Sequence, residues 1–259
     1  MNKRLPKQAP TFSEQVSRLL DIHGCAFGNE QRAEIILARV NYYRLLGYFL
    51  PFKDSASDKY PGVVFEHVYM IYEFDRLLRM LLLELIEEID TAVRTQIAYH
   101  HSHEHGSDGY VDSTLFRNAM HHTKLMDDIR DIVTKNEKNP VVKHHREQYS
   151  SRFPLWVIIE FFSIRMVSEL YANMVRADQK KVARALGCTS DQLYSWLYCL
   201  TQLRNRCAHS SRLYYWHFVA LPTLPKECNR QASIMLFDQM LVVKLLYQDK
   251  HKWKSDIFS

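Results

Sequence analysis

Six consecutive residues, Arg204-Asn205-Arg206-Cys207-Ala208-His209, place a guanidinium and an imidazole five positions apart, with an amide and a second guanidinium between them. Arginine can hold a phosphate bidentately and stabilise negative charge that grows in a transition state. Histidine changes charge near neutral pH and can move a proton. Asn205 lies four residues before His209, on the same helical face, so its amide can orient the imidazole. Arg212, three residues further on, extends this polar edge.

On a helical wheel Leu193, Trp196, Leu197, Leu200, Leu203 and Cys207 form one apolar stripe, and Arg204 falls inside it, about 40° from Leu200. A guanidinium there must be paired or open onto a cleft, because a buried unpaired charge costs several kcal/mol. Arg204 and His209 diverge by about 140° on an ideal helix, so one straight helix cannot aim both at the same atom. Either the helix bends or two copies of the chain share the site.

Three other groups carry reactive residue types. The run His100-His101-Ser102-His103-Glu104-His105 offers ligands that suit zinc or nickel, but the sequence shows no matching ligand group elsewhere, which favours a solvated helix end and no bound metal. Pairs such as His121-His122 and His144-His145 mark the chain as simply rich in histidine. Arg94 and His100 repeat the arginine-histidine spacing loosely, which in such a chain is expected by coincidence. Tyr42-Tyr43-Arg44 mixes aromatic and basic groups like a base-stacking surface; core tyrosines with Arg44 paired to an acid are the plainer reading.

These residues need helices to position them. Thr11 and Glu14 have the spacing of a capping box and open a helix expected to run to about Phe27, ending at Gly24 or Gly28. A second helix is expected from about Glu30 to Tyr48, stopped by Pro51, with residues 53–62 as a connector. From Val63 to about His103 apolar residues recur every three or four positions without glycine or proline, which predicts one helix of roughly 60 Å. Weaker patterns cover residues 114–138. Pro154 opens a helix through Met174, and a short helix over residues 179–186 closes at Gly187. Thr189 or Ser190 caps the helix that bears the motif, expected over residues 191–216, and a last helix covers residues 231–247.

With 7 glycines and 8 prolines in 259 residues, the chain lacks the turn signals that a sandwich of short strands requires. An all-α fold is expected. Its 47% hydrophobic and 24% charged residues exclude a disordered chain. The five cysteines are scattered and never paired as C-x-x-C, which argues against a disulfide framework and for a reducing cytoplasm. No apolar run is long enough to span a bilayer. A net charge of +5 permits polyanion binding without the coat of a dedicated nucleic-acid binder.

The segment 204–209 resembles the R-N-x-x-x-H form of the R-x(4–6)-H motif of HEPN ribonucleases. The likeness extends to abortive-infection proteins of the AbiD/AbiF group through IILARVNYYRLLGYFLPF (residues 35–52), YEFDRLLRMLLLELIEEIDTAVRTQIAY (72–99), residues 153–171, and SWLYCLTQLRNRCAHSSRLY (195–214). One departure is Phe162-Ser163-Ile164-Arg165, where the family has a step resembling Ser-Phe-Gly.

The resemblance implies an all-α, HEPN-like helical bundle with a long central helix over residues 63–259, preceded by an N-terminal helical extension over residues 1–62. It implies a homodimeric, cofactor-free ribonuclease of an antiviral or toxin system, in which the ribose 2′-hydroxyl attacks the adjacent phosphate. The products are a 2′,3′-cyclic phosphate and a 5′-hydroxyl. Arg204, Asn205 and His209 are then catalytic, Arg206 and Arg212 grip RNA, and an antitoxin or regulatory RNA or protein is an expected partner. The alternative is a non-catalytic RNA-binding or protein-interaction module on the same scaffold.

Overall fold

The structure, a computed structural model, describes residues 8–57 and 59–249. Among them eleven α-helices form and no strand, apart from the single bridges Ala26 with Val64 and Phe116 with Met174. The fold is all-α, as the spacing of apolar residues and the scarcity of breakers require. Two compact units are present, one of residues up to 80 with 210–216, the other of residues 81–209 with the remainder from 217. The boundary expected at residues 62 and 63 falls in the turn before the longest helix, whereas the compact units divide within that helix.

In the first unit, α1 (Phe12–Ser17) opens under the expected capping box of Thr11 and Glu14. It passes into a π-helical turn (Arg18–Ile22), and the chain leaves it through Gly24 at φ +66°, well before Phe27. The single helix expected over residues 30–48 is two, α2 (Glu30–Leu37) and α3 (Tyr42–Phe49). Asn41 starts the second by accepting the Tyr43 N–H at 2.9 Å, a capping role that apolar periodicity conceals. Glu66 accepts the amides of Gly28 and Asn29 at 3.0–3.1 Å, satisfying donors just ahead of α2. Val16, Leu19, Leu45, Phe49, Phe65 and Val68 form the core of this unit.

The long helix, α4 (Phe65–His105), runs unbroken for 41 residues. In the second unit it is followed by α5 (Ala119–Lys135) and by α6 (Pro140–Gln148), which has proline in its first turn where the missing N–H costs nothing. The helix expected from Pro154 to Met174 is interrupted: α7 (Leu155–Ile158) tightens into a 3-10 turn (Ile159–Phe161), and Ser163 caps α8 (Ile164–Asn173). Arg94 of α4 donates to the Ile159 carbonyl at 2.5 Å within that break. α9 (Arg176–Ala185) ends before Gly187 at φ +74°. A second capping box, Thr189 with Gln192, opens α10 (Ser190–Ala208), and α11 (Leu236–Leu246) is the last described helix.

α10 packs against α8, α9 and α11 and buries Leu193, Trp196, Leu197, Leu200 and Leu203. It stops at Ala208, eight residues short of the expected end at Trp216, because Ser210 turns left-handed at φ +52°. No described helix is long and apolar enough to cross a membrane.

Candidate active site

α10 carries Arg204 in its last turns and ends on His209 as the capping residue, at φ −88° and ψ 14°. Both side chains belong to exposed residues. Arg204 thus resolves the expected conflict by opening onto a cleft. It lines a cavity of about 470 Å³ together with Glu84, Glu87, Asp90 and Arg94 of α4 and Ser163 at the start of α8. The helix runs through Ala208, and His209 follows it as the cap, so the wheel angle of about 140° is that of an ideal helix continued by one residue.

The Asn205 carboxamide oxygen lies 3.5 Å from Arg204 Nη1, at the outer limit of a hydrogen bond. Its link to His209 in the single chain runs through the backbone, with the His209 N–H donating to the Asn205 carbonyl at 3.0 Å. Arg206 is half-buried on the same turn. On the helical wheel Tyr198, Asn205 and His209 lie within about 40° of one another. Tyr194 and Tyr198 are 54% and 50% exposed, so this face of α10 presents two large aromatic rings beside the motif.

The acidic wall is partly neutralised. Asp90 Oδ2 accepts from Arg94 Nε and Nη2 at 2.8 and 2.6 Å, while Asp90 Oδ1 is buried without a partner. Arg94 itself is buried in this packing, which gives the Arg94–His100 spacing a structural meaning and no second motif.

The chain after His209 is held within the first unit, by Arg44, Asp75 and the contacts of Arg212 itself. Arg44 Nη1 donates to the Ser210 carbonyl at 2.6 Å, so its partner is a backbone oxygen and not the expected acid. Arg212 donates to the Gly47 carbonyl and lies 6.0 Å over the Tyr48 ring. Asp75 accepts the Leu213 and Tyr214 amides at 2.8–3.2 Å, is paired with Arg79, and accepts the Tyr48 hydroxyl at 2.6 Å. Burial and the Asp75 charge push the Tyr48 phenol far above its ordinary range. The blocks NYYRLLGY and FDRLLR thus supply an anchor for residues 210–214. Tyr42 is core, as expected, while Tyr43 is 73% exposed.

The histidine run is not wholly solvated. His101 is buried, and burial with the neighbouring His105 lowers its pKa below the imidazole value against the pull of Asp178. A family described as Abi-like protein matches residues 35–215, about 70% of the chain. No curated protein and no solved structure gives a match.

Proposed function

From the premise that the chain belongs to the Abi-like protein family, we propose that it is an endoribonuclease of abortive infection whose catalytic groups are Arg204 and His209. The observation that carries this reading is the exposure of both side chains at the end of α10, with Arg204 open to a cavity although its position on the wheel belongs to the core. In the proposed reaction the ribose 2′-oxygen attacks the adjacent phosphorus and the 5′-oxygen leaves. His209 moves the proton, and Arg204 binds the non-bridging oxygens as their charge grows. The products are a 2′,3′-cyclic phosphate and a 5′-hydroxyl.

The active unit is a homodimer. Two copies of α10 supply the Arg204 and His209 that one regular helix points apart, and a two-fold axis repeats every group without additional sequence. Tyr194 and Tyr198 furnish apolar area on the His209 face for that contact. Asn205 positions His209 in the assembled site. Arg206 adds charge for RNA, and Arg212, already engaged with Gly47, contributes through its charge alone.

The carboxylates of Glu84 and Glu87 around Arg204 favour a second reading, a protein-interaction module without catalysis, because they oppose a polyanion. Incubation of the full chain with end-labelled RNA in EDTA separates the two. Cleavage with cyclic phosphate ends, abolished by Arg204→Ala and by His209→Ala, supports the ribonuclease. Intact RNA supports the interaction module.

A further inference from the structure

The run His100 to His105 ends α4 with two side chains turned inward. His101 is 1% exposed, and its ring nitrogens have no close hydrogen-bond partner, only a looser approach to the Gly109 backbone. His105, one turn later, places Nε2 2.8 Å from Asp178 Oδ2 in the first turn of α9, and the same oxygen lies 3.8 Å from His101 Nδ1. One ligand atom from each of the three lies within 4.8 Å of the others. All three residues belong to the second unit, and none belongs to the Arg204–His209 motif.

An ion pair alone leaves this arrangement incomplete. It satisfies His105, but 3.8 Å is beyond hydrogen-bond reach, and a buried imidazole without a close partner is costly. A cation between the three groups would take one ligand atom from each and give His101 the close partner it lacks. Histidines four apart on a helix present both rings on one face, the spacing used by helical zinc sites. Zinc bonds of about 2.0–2.2 Å in a tetrahedron put ligand atoms about 3.3 Å apart. The two separations from the Asp178 oxygen, 2.8 and 3.8 Å, bracket that value, and all three ligand atoms lie within 4.8 Å of one another, so side-chain shifts of about 1–1.5 Å bring them to coordination distance.

We propose that His101, His105 and Asp178 form a binding site for a divalent first-row transition metal ion that clamps the end of α4 to α9. Two imidazoles with one carboxylate suit zinc and its neighbours, whereas calcium and magnesium prefer all-oxygen shells. The position of the site in the fold fits a structural clamp. Lys181 and Glu104 join the same two helices at 2.6 Å, and a Cβ on Gly109 would stand 2.6 Å from His105 Cβ, so the loop after α4 closes tightly over the ligands. The fourth position falls to water. Sequence alone misses the site because Asp178 lies 73 residues beyond His105.

The test is a titration of EDTA-stripped full-length protein with ZnCl₂, followed by calorimetry and thermal unfolding. One zinc per chain is expected, with a rise in Tm of about 5–10 °C at a hundredfold excess over Kd. His105→Gln and Asp178→Asn should lose that zinc and the rise, while His103→Ala, a neighbour outside the site, should keep both. Absence of stoichiometric binding by the wild type, which would leave buried water as the occupant, overturns the proposal. So does binding that survives His105→Gln and Asp178→Asn, which would trace it to surface histidines. Should those variants fail to fold, X-ray absorption at the zinc edge of the wild type decides: two imidazoles and a carboxylate support the site, and a shell containing sulfur or water alone refutes it. Folded Asp178→Asn should still cleave RNA and His209→Ala should still bind zinc, so this site and the ribonuclease reading fail independently.

Discussion

Arg204 lies in the last turns of α10 and His209 caps it, and the exposure of both makes them separable by mutation. Arg204→Ala and His209→Ala should each lower cleavage by about 100- to 10,000-fold, the range for loss of a proton-transfer or charge-stabilising group. Neither removes a buried apolar contact, so melting temperatures should move by no more than a few degrees; a collapse of Tm would reassign the loss of activity to folding. Asp238 offers a pH test. Hydrogen bonding to the Arg230 guanidinium, opposed by burial and reinforced by Ser233, holds its carboxyl down at about 2. A carboxylate depressed in the folded state stabilises above its unfolded value near 3.8 and loses that contribution as pH falls towards 2. The difference is about 1–2 kcal/mol after screening of the half-exposed Arg230. Asp238→Asn should therefore destabilise at pH 6 and converge with wild type near pH 2 in urea titrations; a constant gap across that range would refute the assignment. At this scale residue type and spacing singled out Arg204 and His209, and the structure leaves both exposed. The anchoring by Asp75 and Asp178 was not legible, because their partners at residues 213–214 and at His105 come from elsewhere in the chain.

Helices were legible where the local signals agree and obscure where distant groups decide. The spacing over residues 63–103 and the capping residues Thr11 and Thr189 led directly to α4, α1 and α10. Three interruptions lack a glycine or proline and were invisible. The first rests on Asn41 as a cap, the second on Ser163 as a cap with Arg94 donating to Ile159, and the third on Ser210 at φ +52° with Asp75 holding the amides beyond it. Asp75 and Arg79 are 1% and 5% exposed, so removing one partner leaves a buried charge and two orphaned amides. Asp75→Ala should cost about 3–5 kcal/mol by denaturant unfolding, whereas Arg76→Ala, which breaks the exposed pair with Glu73, should cost less than about 1 kcal/mol. Equal costs would show that Asp75 is not the anchor of residues 210–214.

For the whole molecule, the proposed assembly is a dimer, and light scattering should give twice the 30.7 kDa chain mass. Exposed apolar side chains accompany that expectation. Met70, Phe74, Leu77 and Met80 recur at helical spacing on α4 and are each more than half exposed, an arrangement that marks an interaction surface more often than a bare monomer face. Mixing Arg204→Ala with His209→Ala tests sharing of the site. Recovered cleavage in the mixture would mean that one arginine and one histidine from opposite copies suffice, and continued inactivity would mean that all four groups are required. Full activity in a strict monomer would exclude a shared site. The all-α class was readable from composition and periodicity; the division into two units within α4 was not, since a continuous helix gives no local sign of where its packing partners change.

The most direct measurement is mass spectrometry of the RNA ends left by the wild-type chain and by His209→Ala. For the wild type, 2′,3′-cyclic phosphate and 5′-hydroxyl ends are expected in the presence of EDTA, below the unfolding temperature of the metal-free protein, and for His209→Ala uncut RNA. Ends of any other chemistry, or the same ends produced at the same rate by His209→Ala, would contradict cleavage by Arg204 and His209.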